Sequence, residues 1–547
     1  VDTDDIMSEV LKHQAVAADP SRCVWVTANA GSGKTKVLVD RVLRLLVQGA
    51  SPAHILCVTY TNAAAAEMVA RIERMAGRWA NMAHAHLAAE IGILLGRVAQ
   101  QHEVVRAHNL AFMLYDAYPA LRVMTIHAFC QEIVSRFPQE AGIAPHATIA
   151  EEEQLAQFIY NAQQCVLQEA VSSPEGALAW AITYLTEHIS DVRFQEIVQT
   201  IIAHRTLFAC VQGDEMQFHT AIATLYAAHH LPVDMELVTL ADVYFPLSTA
   251  LQQHLQHIKE CLRQTVLPTD HRTADMIEAV LHNATDWEKR HCFASGLLTQ
   301  KGTPHTRLIT AKPKALLQQH PPLYEEWEAL LARAATYMEK YHVLHAVRLS
   351  HAVLVVARRL YHHYAAQKAA AHMLDYDDLI EKAVALVEDT QFSPWVLYKL
   401  DGEITHLLLD EAQDTAGAGW RLINALTQEF FAGQGVDADT RSLFVVGDEK
   451  QSIYGFQGAV PATFIQQADV YHQRAMQVQR AIERVPLYVS FRSTSTVLAF
   501  IDAVFANEER MRAVTYGREE VRHYAFRSQK AGRICLYPRL EKEEPMH

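Results

Sequence analysis

No stretch of about 18 consecutive apolar residues occurs in the 547, so there is no candidate for a membrane-spanning helix. The first residues, Val1-Asp2-Thr3-Asp4-Asp5, are acidic where a secretory leader is basic, and Val1 is not an initiator residue, which reads as a trimmed start. The eight cysteines, Cys23, Cys57, Cys130, Cys165, Cys210, Cys261, Cys292 and Cys535, form no C-x-x-C pair. Neither a zinc ribbon nor a disulfide framework is expected, and a reducing cytoplasm is the expected location. The thirty histidines include no H-E-x-x-H and read as surface or core residues. Internal repeats and low-complexity tracts are lacking too. Positive charge is in the minority, 48 Lys and Arg against 62 Asp and Glu, for a net charge of −14. That argues against a protein that simply coats nucleic acid. A local groove remains compatible, because acidic surface further away than about 8 Å is screened at physiological salt.

What is present is ordinary globular composition, half hydrophobic and one fifth charged, at a length suited to about three or four compact units. Short apolar runs read as strands at Cys23–Val26, Ile55–Thr59 and Leu121–Thr125. Helical patterns follow them, from Lys34 to Val47, through Arg71, and over His127–Arg136. Such alternation predicts an α/β unit with a parallel sheet. From about 146 to 375 the pattern becomes long and helical, with a loop at Lys301–Lys314. Strand signals return at His406–Asp410, Ser442–Asp448 and Pro486–Ser490, so one α/β lobe is expected to be interrupted by a helical insertion and then resumed.

Three motifs carry chemistry. Ala28-Asn29-Ala30-Gly31-Ser32-Gly33-Lys34-Thr35 follows a strand and opens a helix, the setting of a phosphate-binding loop. Small residues at Ala30, Gly31, Ser32 and Gly33 let backbone N–H groups approach phosphates at a helix N-terminus. Lys34 is expected on the β/γ-phosphates of ATP and the Thr35 hydroxyl on Mg²⁺. Ala28 departs from the usual glycine. In Leu407-Leu408-Leu409-Asp410-Glu411-Ala412-Gln413-Asp414-Thr415, an apolar strand delivers paired carboxylates. Asp410 suits Mg²⁺ and Glu411 suits activation of a water; a solvated acidic turn is the bland alternative. The third motif, Val445 to Ala459, places Gln451 to sense a γ-phosphate and Tyr454 and Phe456 as a base-stacking surface; taken singly, either aromatic reads equally as core.

Together these motifs resemble the UvrD/Rep group of superfamily 1 DNA helicases. Other segments fit in order. Gln14 resembles the family's adenine-reading glutamine, and Val58-Thr59-Tyr60-Thr61-Asn62 a motif in which Tyr60, Thr61 and Asn62 would touch single-stranded DNA. Thr125-Ile126-His127-Ala128-Phe129-Cys130 resembles the next DNA-side motif, giving His127. Leu374–Leu379 resembles the segment preceding the acidic motif, and Ser490-Phe491-Arg492-Ser493-Thr494 the one whose aromatic packs on adenine and whose arginine meets the γ-phosphate. Within the group, Phe137-Pro138-Gln139-Glu140-Ala141-Gly142 and Tyr454-Gly455-Phe456-Gln457-Gly458-Ala459 are similar to AddA subunits of double-strand-break repair helicase–nucleases.

The resemblance implies a RecA-like lobe over 1–145 and 376–484, a helical insertion over 146–375, and the beginning of a second RecA-like lobe over 485–547. It also implies action on single-stranded DNA and duplex ends with an AddB-type partner. After Arg492 only 55 residues remain (547 − 492), and neither the later motifs with their arginine finger nor a nuclease domain is matched. A truncated motor with weak ATPase of its own is therefore expected. The alternative is a catalytically incomplete scaffold that binds DNA or a partner, although such a scaffold has no use for Lys34, Asp410 and Glu411. Another kind of phosphate-loop enzyme leaves the aromatics beside Gln451 unexplained.

Overall fold

The computed structural model describes residues 3–116, 121–203, 205, 211, 213–233, 235–305, 307–431, 441–455, 458–515 and 523–537. Phe456, Gln457 and Cys210 lie outside them. The chain folds as two compact units, one made of Val1–Glu151 and Ala371–His547, the other of Glu152–Ala370.

Among the described residues, the first unit contains ten strands: β1 (Cys23–Ala28), β2 (Ile55–Thr59), β3 (Arg122–Thr125), β4 (Thr148–Ile149), β5 (Met373–Leu374), β6 (His406–Leu409), β7 (Ser442–Gly447), β8 (Ile482–Leu487), β9 (Val489–Thr494) and β10 (Tyr524–Arg527). Six of them form one sheet in the order β3-β2-β6-β7-β1-β8, and every pairing is parallel. Alternation explains the burial. Trp25, Leu56, Val58, Leu407, Leu409, Leu443 and Val445 face one side. Val24, Val26, Cys57, Leu408, Phe444, Val446 and Val485 face the other. A parallel sheet covered on both faces needs near-continuous apolar strands, and these are such strands. On the first side Trp25 stacks on Trp420 at 5.9 Å and lies 5.0 Å from the Phe464 ring.

On the second side pack helices α1 (Thr3–Ala17), α2 (Lys34–Gln48) and α3 (Asn62–Ala80). Helix α3 outruns the expected end at Arg71 because its buried positions, Ala65, Met68, Ile72, Ala76 and Trp79, keep helical spacing to the last turn.

Two expectations are corrected. Pro486–Ser490 is not one strand: β8 pairs with β1 and β9 pairs with β10, so the chain changes sheets at Tyr488. That change straddles the 484/485 division expected from sequence. The loop expected at Lys301–Lys314 ends early, since Ala311–Gln318 is helical with Pro313 in its first turn, where a missing N–H costs nothing.

The second unit is helical around a spine of 50 residues, Pro321–Ala370, about 75 Å long. Several of the thirty histidines find their place here. His345 Nδ1 meets the Tyr184 hydroxyl at 2.7 Å and His351 Nδ1 the Tyr226 hydroxyl at 3.3 Å, while the His291 ring lies 4.1 Å from that of Tyr341. Burial lowers the pKa of all three; nearby His342 adds to this at His291, His188, His342 and Arg348 at His345, and Arg348 and His219 at His351. Their native pKa values lie below those of the unfolded chain, so the unfolded state takes up more protons as pH drops below about 6.5. Stability from these neutral rings is full above that pH and is lost as pH falls through the native values. Hydrogen exchange over Glu152–Ala370 should therefore be faster at pH 5 than expected from chemistry alone, and His345→Gln should lessen the difference. Equal protection at pH 5 and 7.5, once corrected for intrinsic rates, would contradict this.

Candidate functional site

All six strands are parallel, so their carboxyl ends share one edge, where open α/β sheets bind ligands. Ala28 ends β1 as buried, extended backbone, which is why alanine serves where glycine was expected. The need for glycine begins later, at Gly31 (φ 74°) and Gly33 (φ 90°). Gly33 caps α2, and Lys34 and Thr35 are the helix's first residues. The loop is held by Asn29 N–H donating to Leu487 O at 2.9 Å and Phe491 N–H donating to Gly31 O at 2.8 Å. A Cβ on Gly31 would lie 2.7 Å from Arg492 Cβ, so the segment carrying Phe491 and the exposed Arg492 rests directly on the loop. Gln14 reaches it from α1, with Nε2 at 3.5 Å from Ser32 O. Ala30 sits in the loop's turn. Ser32 Oγ is buried with no hydrogen-bond partner among the described residues.

Strand β6 ends at Leu409, and Asp410 and Glu411 follow it. Asp410 is nine-tenths buried, and burial, then the neighbouring Glu411 charge, push its pKa up to about 6 against the pull of Lys34. Glu411 adopts φ 49°, ψ 44°, a conformation that costs a non-glycine residue about 1–2 kcal/mol. Its carboxylate accepts from Lys34 Nζ at 2.9 and 3.1 Å and from Gln413 Nε2 at 2.8 Å. Gln413 Oε1 in turn accepts from the Asp448 N–H at 2.9 Å, just past the end of β7. Asp448 accepts from the Gln451 side chain and pairs with Lys450 Nζ at 2.9 Å. Burial alone would lower the Lys450 pKa, but Asp448 and Glu449 outweigh it and hold it above the ordinary value. Lys34, Glu411 and Gln451 are thus linked by a continuous chain of hydrogen bonds.

The aromatic residues lie beyond β2 and β7 on the same edge. The Tyr60 and Tyr454 rings approach to 4.1 Å, and burial, then Asp414 and Tyr454, push the Tyr60 pKa up to about 12. Thr61 caps α3, its hydroxyl accepting from Ala64 N–H at 3.1 Å, and Asn62 is exposed at the helix start. That use of Thr61 is local and structural. His127 opens helix Ile126–Arg136 and packs edge-on against Tyr376 at 5.3 Å; burial lowers its pKa against Asp377. Phe456 lies outside the described residues.

Sequence reasoning gave no role to Gln413, His13 or Tyr488. Gln413 stood inside a quoted motif, and an amide two residues after paired carboxylates was the available signal. Val10, His13, Tyr488 and Val489 line a shallow apolar pocket beside Ser32, which nothing local in the sequence announced.

The residues fit a nucleotide triphosphate and a divalent cation. An orphaned Ser32 hydroxyl, a glycine turn that side chains would obstruct and a buried carboxylate at Asp410 with raised proton affinity all suit them. Among the described residues no group of three or more His, Cys, Asp or Glu is arranged to hold a metal. A cation here would draw ligands from phosphate and water, as Mg²⁺ does. No helix among the described residues is long and apolar enough to cross a membrane.

Comparison with known proteins agrees with this geometry. An ATP-dependent helicase/nuclease subunit of the AddA type from Levilactobacillus brevis is 26% identical over 502 residues, covering 88% of this chain and 37% of the relative. Its counterpart in Lactobacillus helveticus is 24% identical over 527 residues, covering 91% and 40%. The counterpart in Enterococcus faecalis is 25% identical over 536 residues, covering 93% and 39%. The chain therefore spans about two-fifths of the length of these relatives. The model of the UvrD/REP helicase N-terminal domain matches residues 9–228 and 247–472, which is most of the sequence. By that match, the chain belongs to the UvrD/REP helicase family.

Proposed function

We propose that this chain is the ATP-binding motor portion of a DNA helicase that moves along single-stranded DNA during double-strand-break repair. The names of the relatives, which pair helicase with nuclease, support that setting and an AddB-type partner in the cytoplasm. In this reading residues 1–145 and 376–484 form the nucleotide lobe, 146–375 the helical insertion and 485–547 the start of a second lobe. The observation that carries it is the hydrogen-bond chain from Lys34 through Glu411 and Gln413 to Asp448 and Gln451, ending beside the Tyr60–Tyr454 pair.

The roles follow from position. Backbone N–H groups of Ala30 to Thr35 cradle phosphates, and Lys34 leaves Glu411 to neutralise the β/γ oxygens. Gln14 and Phe491 receive the adenine. Thr35 and Asp410 hold Mg²⁺, which supplies charge neutralisation of the triphosphate. Glu411, released from Lys34, orients a water and takes its proton; Gln451 and Arg492 meet the γ-phosphate. Tyr60 and Tyr454 stack on bases, with Asn62 and His127 beside them and Phe456 assigned by motif. Thr61 serves through its cap, fixing the start of α3.

Titration of fluorescent oligo-dT across salt tests this. Stacking is worth about 1–3 kcal/mol per base, so Tyr454→Ala should weaken binding about 5- to 150-fold while leaving the salt slope unchanged. Unchanged affinity in that variant, or binding by the parent chain that collapses at moderate salt, would reject the stacking surface.

A further inference from the structure

Gln413 is an amide with 2% exposure in which every hydrogen-bonding group has a target on a different functional segment. Its Nε2 donates to Glu411 Oε2 at 2.8 Å and to Asp414 Oδ2 at 3.1 Å, and its Oε1 accepts from Asp448 N–H at 2.9 Å. The two donors and the acceptor are thereby engaged, so the amide cannot rotate without breaking a bond at one end. Its seat is cut by a glycine. A Cβ on Gly447, the last residue of β7, would lie 2.8 Å from Gln413 Oε1 and 2.8 Å from Phe464 Cε2.

The two ends of this amide lie toward different ligands. Glu411 Oε2 is shared between Gln413 and Lys34. When Lys34 turns to a phosphate, Glu411 loses one of these two donors and Gln413 carries more of its charge. On the other side, burial raises the Asp414 pKa, offset in part by the Ser452 hydroxyl and the Ile453 N–H. Those residues directly precede Tyr454, whose ring meets Tyr60, and the Asp414 charge is felt at Tyr60 itself. A change at the cradle therefore has a route of two side chains to the aromatic pair.

We infer that Gln413, acting through Asp414, is the positioning residue that couples nucleotide in the phosphate cradle to the grip of the Tyr60–Tyr454 pair on single-stranded DNA. This rests on the proposed function and names the residues through which one ligand alters affinity for the other. By linkage the effect is reciprocal, and coupling of this kind usually spans about 5- to 150-fold. A residue that merely braced two loops would change stability and leave that ratio alone.

The test uses the full 547-residue chain, fluorescent oligo-dT and the slowly hydrolysed analogue ATPγS with Mg²⁺. The parent chain should change its oligo-dT affinity at least about fivefold when the analogue is added. In Gln413→Ala the ratio should fall below about twofold, with each ligand alone still binding within about threefold of the parent. The isosteric Asp414→Asn breaks the next link and Gly447→Ala displaces the amide from behind; both should lower the ratio as well, and they serve if Gln413→Ala fails to fold. An undiminished ratio in these variants overturns the relay and leaves the functional reading intact, as does a parent chain that binds both ligands without coupling. A parent chain that binds no nucleotide removes the functional reading and the relay with it.

Discussion

Replacing Arg41 by alanine is expected to destabilise the first unit by about 3–5 kcal/mol, the cost of breaking a buried charged network. Arg41 lies on α2 and is completely buried. Its guanidinium donates to the carbonyls of Ala17 at 3.0 Å, Asp19 at 2.7 Å and Arg22, and it lies 5.3 Å from the centroid of the Phe444 ring. Burial lowers its pKa to about 10, yet it stays charged throughout the physiological range. Alanine would strand three carbonyls of the turn joining α1 to β1 and leave a cavity against Phe444. Lysine, with one compact ammonium, cannot span the three acceptors and should recover little. Since α1 carries Gln14, nucleotide affinity should fall along with stability. Chemical denaturation would read the first effect; a loss below about 1 kcal/mol would mean the turn holds itself.

Lys34→Ala should behave in the opposite way, with a fold nearly intact and a binding site lost. The Lys34–Glu411 pair is 2.9 Å long, but the Glu411 side chain is 36% exposed, so its contribution to stability is discounted to about 1 kcal/mol or less. Toward a triphosphate the same ammonium makes charge-assisted bonds in a partly buried site, and losing such a partner costs about 2–5 kcal/mol. Affinity for a fluorescent ATP analogue with Mg²⁺ should drop at least about 30-fold, with the melting temperature within a few degrees of the parent. Binding within about threefold of the parent would show that phosphates do not sit in this loop.

The contrast between these residues marks what could be read in the chain. Lys34 was legible because a phosphate loop is local: Gly31, Gly33 and the helix start are set by neighbours in sequence. The strands were legible because sheet residues such as Leu407, Leu408 and Leu409 are apolar in runs, as burial on both faces demands. Arg41 was invisible, since an arginine amid α2's leucines and valines reads as an exposed turn until the carbonyls of Ala17 and Arg22 are known to face it. Gln413 was quoted and passed over for the same reason, as its meaning lies in Asp448, 35 residues away. The break at Tyr488 followed from pairing with β1 and β10, partners far off in the chain. The histidines of the spine gained a role only through tyrosines on other helices. Long-range partnership, not composition, was the missing information in each case.

The short ribbon of β4 and β5 has a consequence for how such a chain could arise. Thr148 N–H donates to His372 O at 3.1 Å and Ala150 N–H to Leu374 O at 2.9 Å, so the outgoing and returning strands are bonded side by side. Everything from Glu152 to Ala370 hangs from that one doorway. A cassette attached in this way can be lengthened, exchanged or pared back over generations while the edge that bears Lys34 and Asp410 is inherited unchanged.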